Sequence, residues 1–318
     1  MRCPKCQFDH ELQTTECLKC GIVFSRYQPA VEMPPQQAIP ASAALASQGA
    51  PPMARDEALR ELKYRALALP LALLVARLVT GTGLRMASAM LAMVLHESGH
   101  AITAWLTGCW AVPMLWVTPH GEERSWAIVL TLAAAFIFGG YIAWKAQHWG
   151  WLCVAATLLL LQLIALSFSA GALIVFWGDG GAMVLATLLM ATFYAPRTSA
   201  FRKNGGLRWG LLLIGALAFM HVFLMWTGPY EGIPFGEIEG VGPSDPTLLT
   251  EMYGWSVIQL VDRYIRLGIL CLLALLALYI WGLLSAYLEI PRTPSTGKQR
   301  LGQDLIVSPS DQSTTGQQ

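Results

Sequence analysis

The chain has 318 residues, of which 55% are hydrophobic and 13% charged, and 21 Lys+Arg against 20 Asp+Glu leave a net charge of +1. A soluble domain carries about 25% charge, so the composition points to an integral membrane protein and excludes a disordered chain or a soluble disulfide scaffold. With no global basic field, it also argues against nucleic acid as a partner.

Residues 1–28 hold two Cys-x-x-Cys units, Cys3-Pro-Lys-Cys6 and Cys17-Leu-Lys-Cys20. The first apolar run starts near residue 66, after this polar stretch, so the N-terminus is expected in the cytosol. Thiols stay reduced there, and such paired units read as metal ligands. Cys3, Cys6, Cys17 and Cys20 are therefore expected to form a zinc ribbon around one closed, structural zinc ion. So small a unit has almost no core, and the metal must supply its folding energy. Its basic residues are offset by Asp9, Glu11 and Glu16, which suits docking to a protein partner better than to nucleic acid. Residues 29–54, rich in Pro, Ala, Ser and Gln, read as a flexible linker. Cys109, Cys153 and Cys271 lie in apolar sequence and read as small buried hydrophobes.

Residues 55–288 form the membrane domain, with apolar segments at 66–80, 86–107, 126–144, 151–176, 181–195, 208–227 and 267–288. A crossing helix needs about 20 residues, and 181–195 is too short. Positive charge agrees with that reading. If 181–195 does not cross, Arg197, Arg202, Lys203 and Arg208 share the cytosolic side with the tail's Arg292, Lys298 and Arg300. Loop 228–262 then faces outward with Glu231, Glu237, Glu239, Asp245, Glu251 and Asp262 and no Lys or Arg. The expected fold is an all-α polytopic membrane protein with about six transmembrane helices plus one re-entrant or interfacial helix. A rival topology, in which 66–80 fails to cross, inverts the next four segments. Residues 289–318 read as a disordered cytosolic tail.

The strongest motif is His96-Glu97-Ser98-Gly99-His100, inside the apolar segment 86–107. Residues four apart share a helix face, so His96 and His100 can both ligate one zinc ion. Glu97, one residue round, can act as general base toward water. Such residues are costly in mid-membrane without a function, although polar residues also serve as glue between helices. Two His need a third protein ligand. Asp179, in Trp177-Gly178-Asp179-Gly180-Gly181, is the only acid between Arg124 and Gly228. The three glycines around it imply a sharp bend at the junction before 181–195. Asp179 is read as the third ligand, a role compatible with capping the following helix.

His96-Glu97-x-x-His100 on one span, with Asp179-Gly180 near the end of a later one, resembles the site-2 protease family of intramembrane zinc metallopeptidases. The likeness covers residues 84–195, and Leu95–Gly108 is most like the short bacterial members. The resemblance implies that His96, His100 and Asp179 bind zinc, that Glu97 activates water, and that the substrates are membrane-spanning proteins. It also implies a bacterial inner (plasma) membrane, with the charge pattern placing both termini in the cytosol. The family's Asn-Pro before Asp-Gly is replaced by Ile174-Val175-Phe176-Trp177-Gly178, and its Ala-Gly-Pro after the hairpin is absent.

Loop 108–125 reads as a membrane-dipping hairpin on the cytosolic side, turning at Pro119-His120-Gly121. Its edge could hold an extended substrate by strand addition. His120 reads as a turn residue, and His148 and His221 as packing residues. A second functional class stays open: a catalytically silent membrane adaptor with a structural zinc site and a partner-recruiting ribbon. A transporter lacks the expected inverted repeats.

Overall fold

The computed structural model describes residues 3, 9, 15–17, 20, 23, 55–196, 199–203, 205–238 and 242–290. Cys6, the linker 29–54 and the tail from 291 lie outside the described residues. The chain divides into two compact units, Met1–Pro51 and Pro52–Gln318.

The second unit is built from seven long helices: α1 Arg55–Thr80, α2 Arg85–Thr107, α3 Trp126–Lys145, α4 Trp149–Leu166, α5 Ala170–Ala191, α6 Gly205–Thr227 and α7 Val257–Leu288. Helices α3, α4, α6, α7 and the stretch Ala170–Tyr194 are each long and apolar enough to cross a membrane. Helices α1 and α2 meet that test together, bent by 113° across the break between them. Large apolar side chains such as Leu67, Phe138, Trp151, Leu270 and Trp281 point outward, the pattern of a bundle solvated by lipid. This is a membrane protein.

Two ends of the bundle are fixed by polar contacts. At one end Glu61 of α1 accepts hydrogen bonds from Arg65 Nε at 2.9 Å and from Arg208 Nη2 at 2.8 Å. Arg208 Nε donates to the Phe193 carbonyl, and Arg65 Nη1 to that of Gly282. These buried charges tie α1 to α6, α7 and the turn Thr192–Tyr194. At the other end Arg124, just before α3, donates to the carbonyls of Leu166 and Phe168, and Tyr253 packs on Gly171.

This arrangement corrects the expected topology. The break expected at Trp177–Gly181 falls at 167–169 instead, where Ser169 is extended (φ −61°, ψ 123°) and Arg124 binds the last carbonyls of α4. Segment 181–195 is no separate re-entrant piece. It is the second half of a 25-residue span. The interrupted element is α1–α2, which is bent by 113° at the break 81–84. Hairpin 108–125 consequently lies at the same end as loop 228–256, not at the end holding Glu61 and Arg208.

The glycines near Asp179 do not bend the chain; they allow contact. Helices α2 and α5 run antiparallel, and a Cβ on Gly99 would overlap the Trp177 carbonyl oxygen. One on Gly181 would stand 2.6 Å from the Gly99 Cα, and one on Gly178 would stand 2.6 Å from His100 Nε2. Close backbone approach through small residues is how membrane helices gain packing without a hydrophobic driving force. Gly99→Ala should therefore cost about 3 kcal/mol through overpacking. It should lower both the thermal midpoint in detergent and the metal affinity. Unchanged values for both would mean that the two helices are not in contact.

Candidate metal centre

Helix α2 carries His96 and His100 one turn apart, on the face that α5 approaches so closely. Each imidazole uses its Nδ1 to hold itself in place. His96 Nδ1 lies 2.9 Å from Asp179 Oδ1, and His100 Nδ1 lies 2.8 Å from the Ile174 carbonyl oxygen. A carbonyl can only accept, so His100 carries its proton on Nδ1 and leaves Nε2 as a lone pair. The carboxylate of Asp179 favours the same tautomer in His96. Trp226 Nε1 donates to the other oxygen, Asp179 Oδ2, at 2.9 Å.

The two Nε2 atoms are 3.0 Å apart. Asp245 Oδ2 completes a triangle, 3.2 Å from His96 Nε2 and 3.1 Å from His100 Nε2. Three electron-rich atoms facing one another this closely repel unless a cation sits among them. Asp245 Oδ2 is buried without a hydrogen bond, and so is Glu97 Oε2, which lines the same cavity. Tetrahedral ligands at zinc's bond lengths of about 2.0–2.1 Å are separated by about 3.3 Å. The donor set fits a metal ion of that size.

Asp179, the third ligand expected from the sequence, stands outside that triangle. The structure brings Asp179 to His96 but on the nitrogen that faces away from the convergence, where it orients the imidazole. Asp245 takes the position by the two Nε2 atoms. It reaches there because loop 228–256 is folded rather than slack. Glu237–Ile238 pair with Gly242–Pro243, Ser244 N donates to the Gly236 carbonyl, and Gly236 N donates to Thr247 Oγ1. Leu249 is fully buried beneath the turn that Asp245 begins. Sequence offered one hint, the Gly-Pro-Ser-Asp-Pro run, but nothing there singles out Asp245 from the loop's other acids.

A cavity of about 380 Å³ surrounds the triangle. The hairpin forms one wall. It pairs only at Ala111 and His120, with Val112 N donating to the Pro119 carbonyl, so the expected strand is a single bridge. Thr118 Oγ1 donates to the Glu97 carbonyl at 3.0 Å and pins the hairpin to the motif helix. His120 and His221 both line the cavity. His221 Nδ1 lies 3.3 Å from Ser88 Oγ, the hydrogen-bonded packing expected of it. His148 instead precedes α4 and takes no part. Of the scattered cysteines, Cys109 and Cys271 are buried as expected, whereas Cys153 is exposed on α4.

In the first unit, the sulfurs of Cys3, Cys17 and Cys20 lie within 4.8 Å of one another. Cys3 Sγ and Cys20 Sγ are 3.7 Å apart, against about 3.8 Å for two thiolates on one tetrahedral zinc. Glu16 and Val23 bridge as an antiparallel pair beside them. This group, too, fits a metal ion.

No family model, no curated protein and no solved structure matches the chain.

Proposed function

We propose that the chain is an intramembrane zinc metallopeptidase, similar to the site-2 proteases, that hydrolyses peptide bonds of membrane-spanning proteins. The observation that carries this reading is the buried, unpartnered Glu97 Oε2 in the same cavity as the His96–His100–Asp245 triangle. Three protein ligands beside a carboxylate are the catalytic pattern, whereas a structural site uses four. An adaptor has no use for the carboxylate.

Zinc held by His96, His100 and Asp245 would polarise a peptide carbonyl and make water acidic enough to deprotonate near neutral pH. Glu97 takes that proton from the attacking water and returns it to the leaving nitrogen. Asp179 and the Ile174 carbonyl keep the two imidazoles in the tautomer the site needs. The apolar walls, Ala89, Ala92, Val175 and Val222 among them, suit a substrate side chain drawn from lipid. Trp116 and Val117 put the exposed hairpin at the cavity mouth, where an extended substrate can pair with its edge. The Cys3/Cys17/Cys20 unit, completed by Cys6, is a structural zinc ribbon that docks a protein partner.

Basic residues support an orientation. Six spans, with α1–α2 counted as one, bring Arg55–Arg65, Arg197–Arg208 and the tail to one side, which the positive-inside rule makes cytosolic. The metal cavity then opens toward the outer side, beneath the acidic loop.

Purified full-length protein with a single-span substrate is the direct test. Two zinc equivalents and a chelator-sensitive cleavage restored by zinc are expected. Cys17→Ser should retain one equivalent and part of the activity. Failure of the fully loaded protein to cut any of a panel of single-span substrates would sink the peptidase reading.

A further inference from the structure

A second cavity, of about 370 Å³, adjoins the metal cavity and shares His221 and Met225 with it. It lies at the break between α1 and α2. Arg77 comes from the last turn of α1 and Arg85 from the first residue of α2, and the hydroxyl-bearing Thr80 and Thr227 lie beside them. Arg77 Nη1 folds back over the break, 3.6 Å from where a Cβ on Gly81 would stand. Among the described residues no acidic side chain lines this cavity, and neither guanidinium enters an ion pair. Glu231 sits on the neighbouring turn Tyr230–Gly232 but is not part of the lining.

The break lies against the end of α6. Trp226, in the last turn of α6, hydrogen-bonds Asp179 of α5, so the indole links the end of α6 to the metal centre. The second cavity is lined by Thr227 and Gly228 from that same end. Two neighbouring arginines with no acid of the chain between them mark a place for an anion. Arg65 and Arg208, by contrast, are both paired with Glu61.

We infer that Arg77 and Arg85 form a subsite for the C-terminal carboxylate of a peptide whose upstream residues pass His221 into the metal cavity. This rests on the peptidase reading for what the occupant is. The anions a peptide offers are its terminal carboxylate and its Asp and Glu side chains, and a planar guanidinium matches a carboxylate with two parallel hydrogen bonds. Two cavities on either side of His221 and Met225 suit an occupant that is a chain, which a lipid headgroup at the rim is not. The consequence is a preference for substrates that end shortly after the bond to be cut.

Binding separates this subsite from the chemistry. Full-length, zinc-loaded Glu97→Gln protein in neutral-lipid nanodiscs is titrated with a fluorescent apolar peptide, as the free acid and as the C-terminal carboxamide. The free acid should bind about tenfold more tightly, the size expected from two partly exposed charge-assisted pairs. In Arg77→Gln/Arg85→Gln protein the two peptides should bind alike. Equal affinities for acid and amide in the Glu97→Gln protein overturn the subsite. A carboxamide bearing an internal Glu that binds as well as the free acid also overturns it, in favour of an acidic side chain. Loss of the preference when the nanodiscs carry anionic phospholipid assigns the arginines to a headgroup and overturns it as well. A clear preference for the acid with no cleavage by the native protein would leave the subsite standing and remove the peptidase reading alone.

Discussion

Glu97→Gln is expected to keep both metal equivalents and to lower peptide-bond cleavage by about a thousandfold, the loss typical of a missing general base. Glutamine preserves the size and hydrogen-bonding reach of the side chain but cannot accept a proton from water. The substitution places no clash in the cavity, because Glu97 Oε2 has no hydrogen-bond partner to lose. Its backbone carbonyl, which holds Thr118 and the hairpin, is unchanged. The loss should therefore fall on the catalytic step, with substrate binding close to that of the native protein. Metal content by atomic absorption and single-turnover cleavage of a single-span substrate are the two measurements. A protein that loses zinc along with activity would place Glu97 among the ligands. One that cleaves normally would remove Glu97 as the general base.

The parts of this molecule that depend on local periodicity were legible in the sequence. His96 and His100 four apart on an apolar helix required a common face, and the structure puts their Nε2 atoms 3.0 Å from each other. What sequence does not encode is which of two uses a glycine serves. Gly178, Gly180 and Gly181 were read as a bend, because glycine permits unusual backbone angles; here α5 runs straight through them, and Gly178 and Gly181 matter for the Cβ they lack. That error moved the break by about ten residues and, with it, the end of the bundle assigned to the hairpin. Asp245 was hidden for another reason. A candidate ligand from a distant loop obeys no spacing rule, and only the packing of Ser244, Thr247 and Leu249 fixes where its carboxylate points.

The largest effect on the metal itself should come from Asp245. Asp245→Asn removes the one anionic donor of the triangle, and a neutral amide is a poor zinc ligand. Zinc affinity of the membrane unit should fall by about a thousandfold or more, because an intrinsically tight site loses one of three ligands. Asp179→Asn should cost less, about ten- to a hundredfold, as expected for a group that orients a ligand without binding the metal. The smaller loss has a specific origin. Asp179 accepts from His96 Nδ1 through one oxygen and from Trp226 Nε1 through the other. Asparagine must turn its NH2 toward one of those donors, and one hydrogen bond is lost either way. Combining Asp179→Asn with Trp226→Phe removes the opposed indole donor, frees the amide oxygen for His96, and should recover part of the affinity. A ligand would show no such rescue. Competition with a chromophoric chelator, on protein that also carries Cys17→Ser so that the membrane site is read separately, measures all three variants. If Asp179→Asn strips the metal while Asp245→Asn retains it, the ligand set is His96, His100 and Asp179, and Asp245 only closes the cavity.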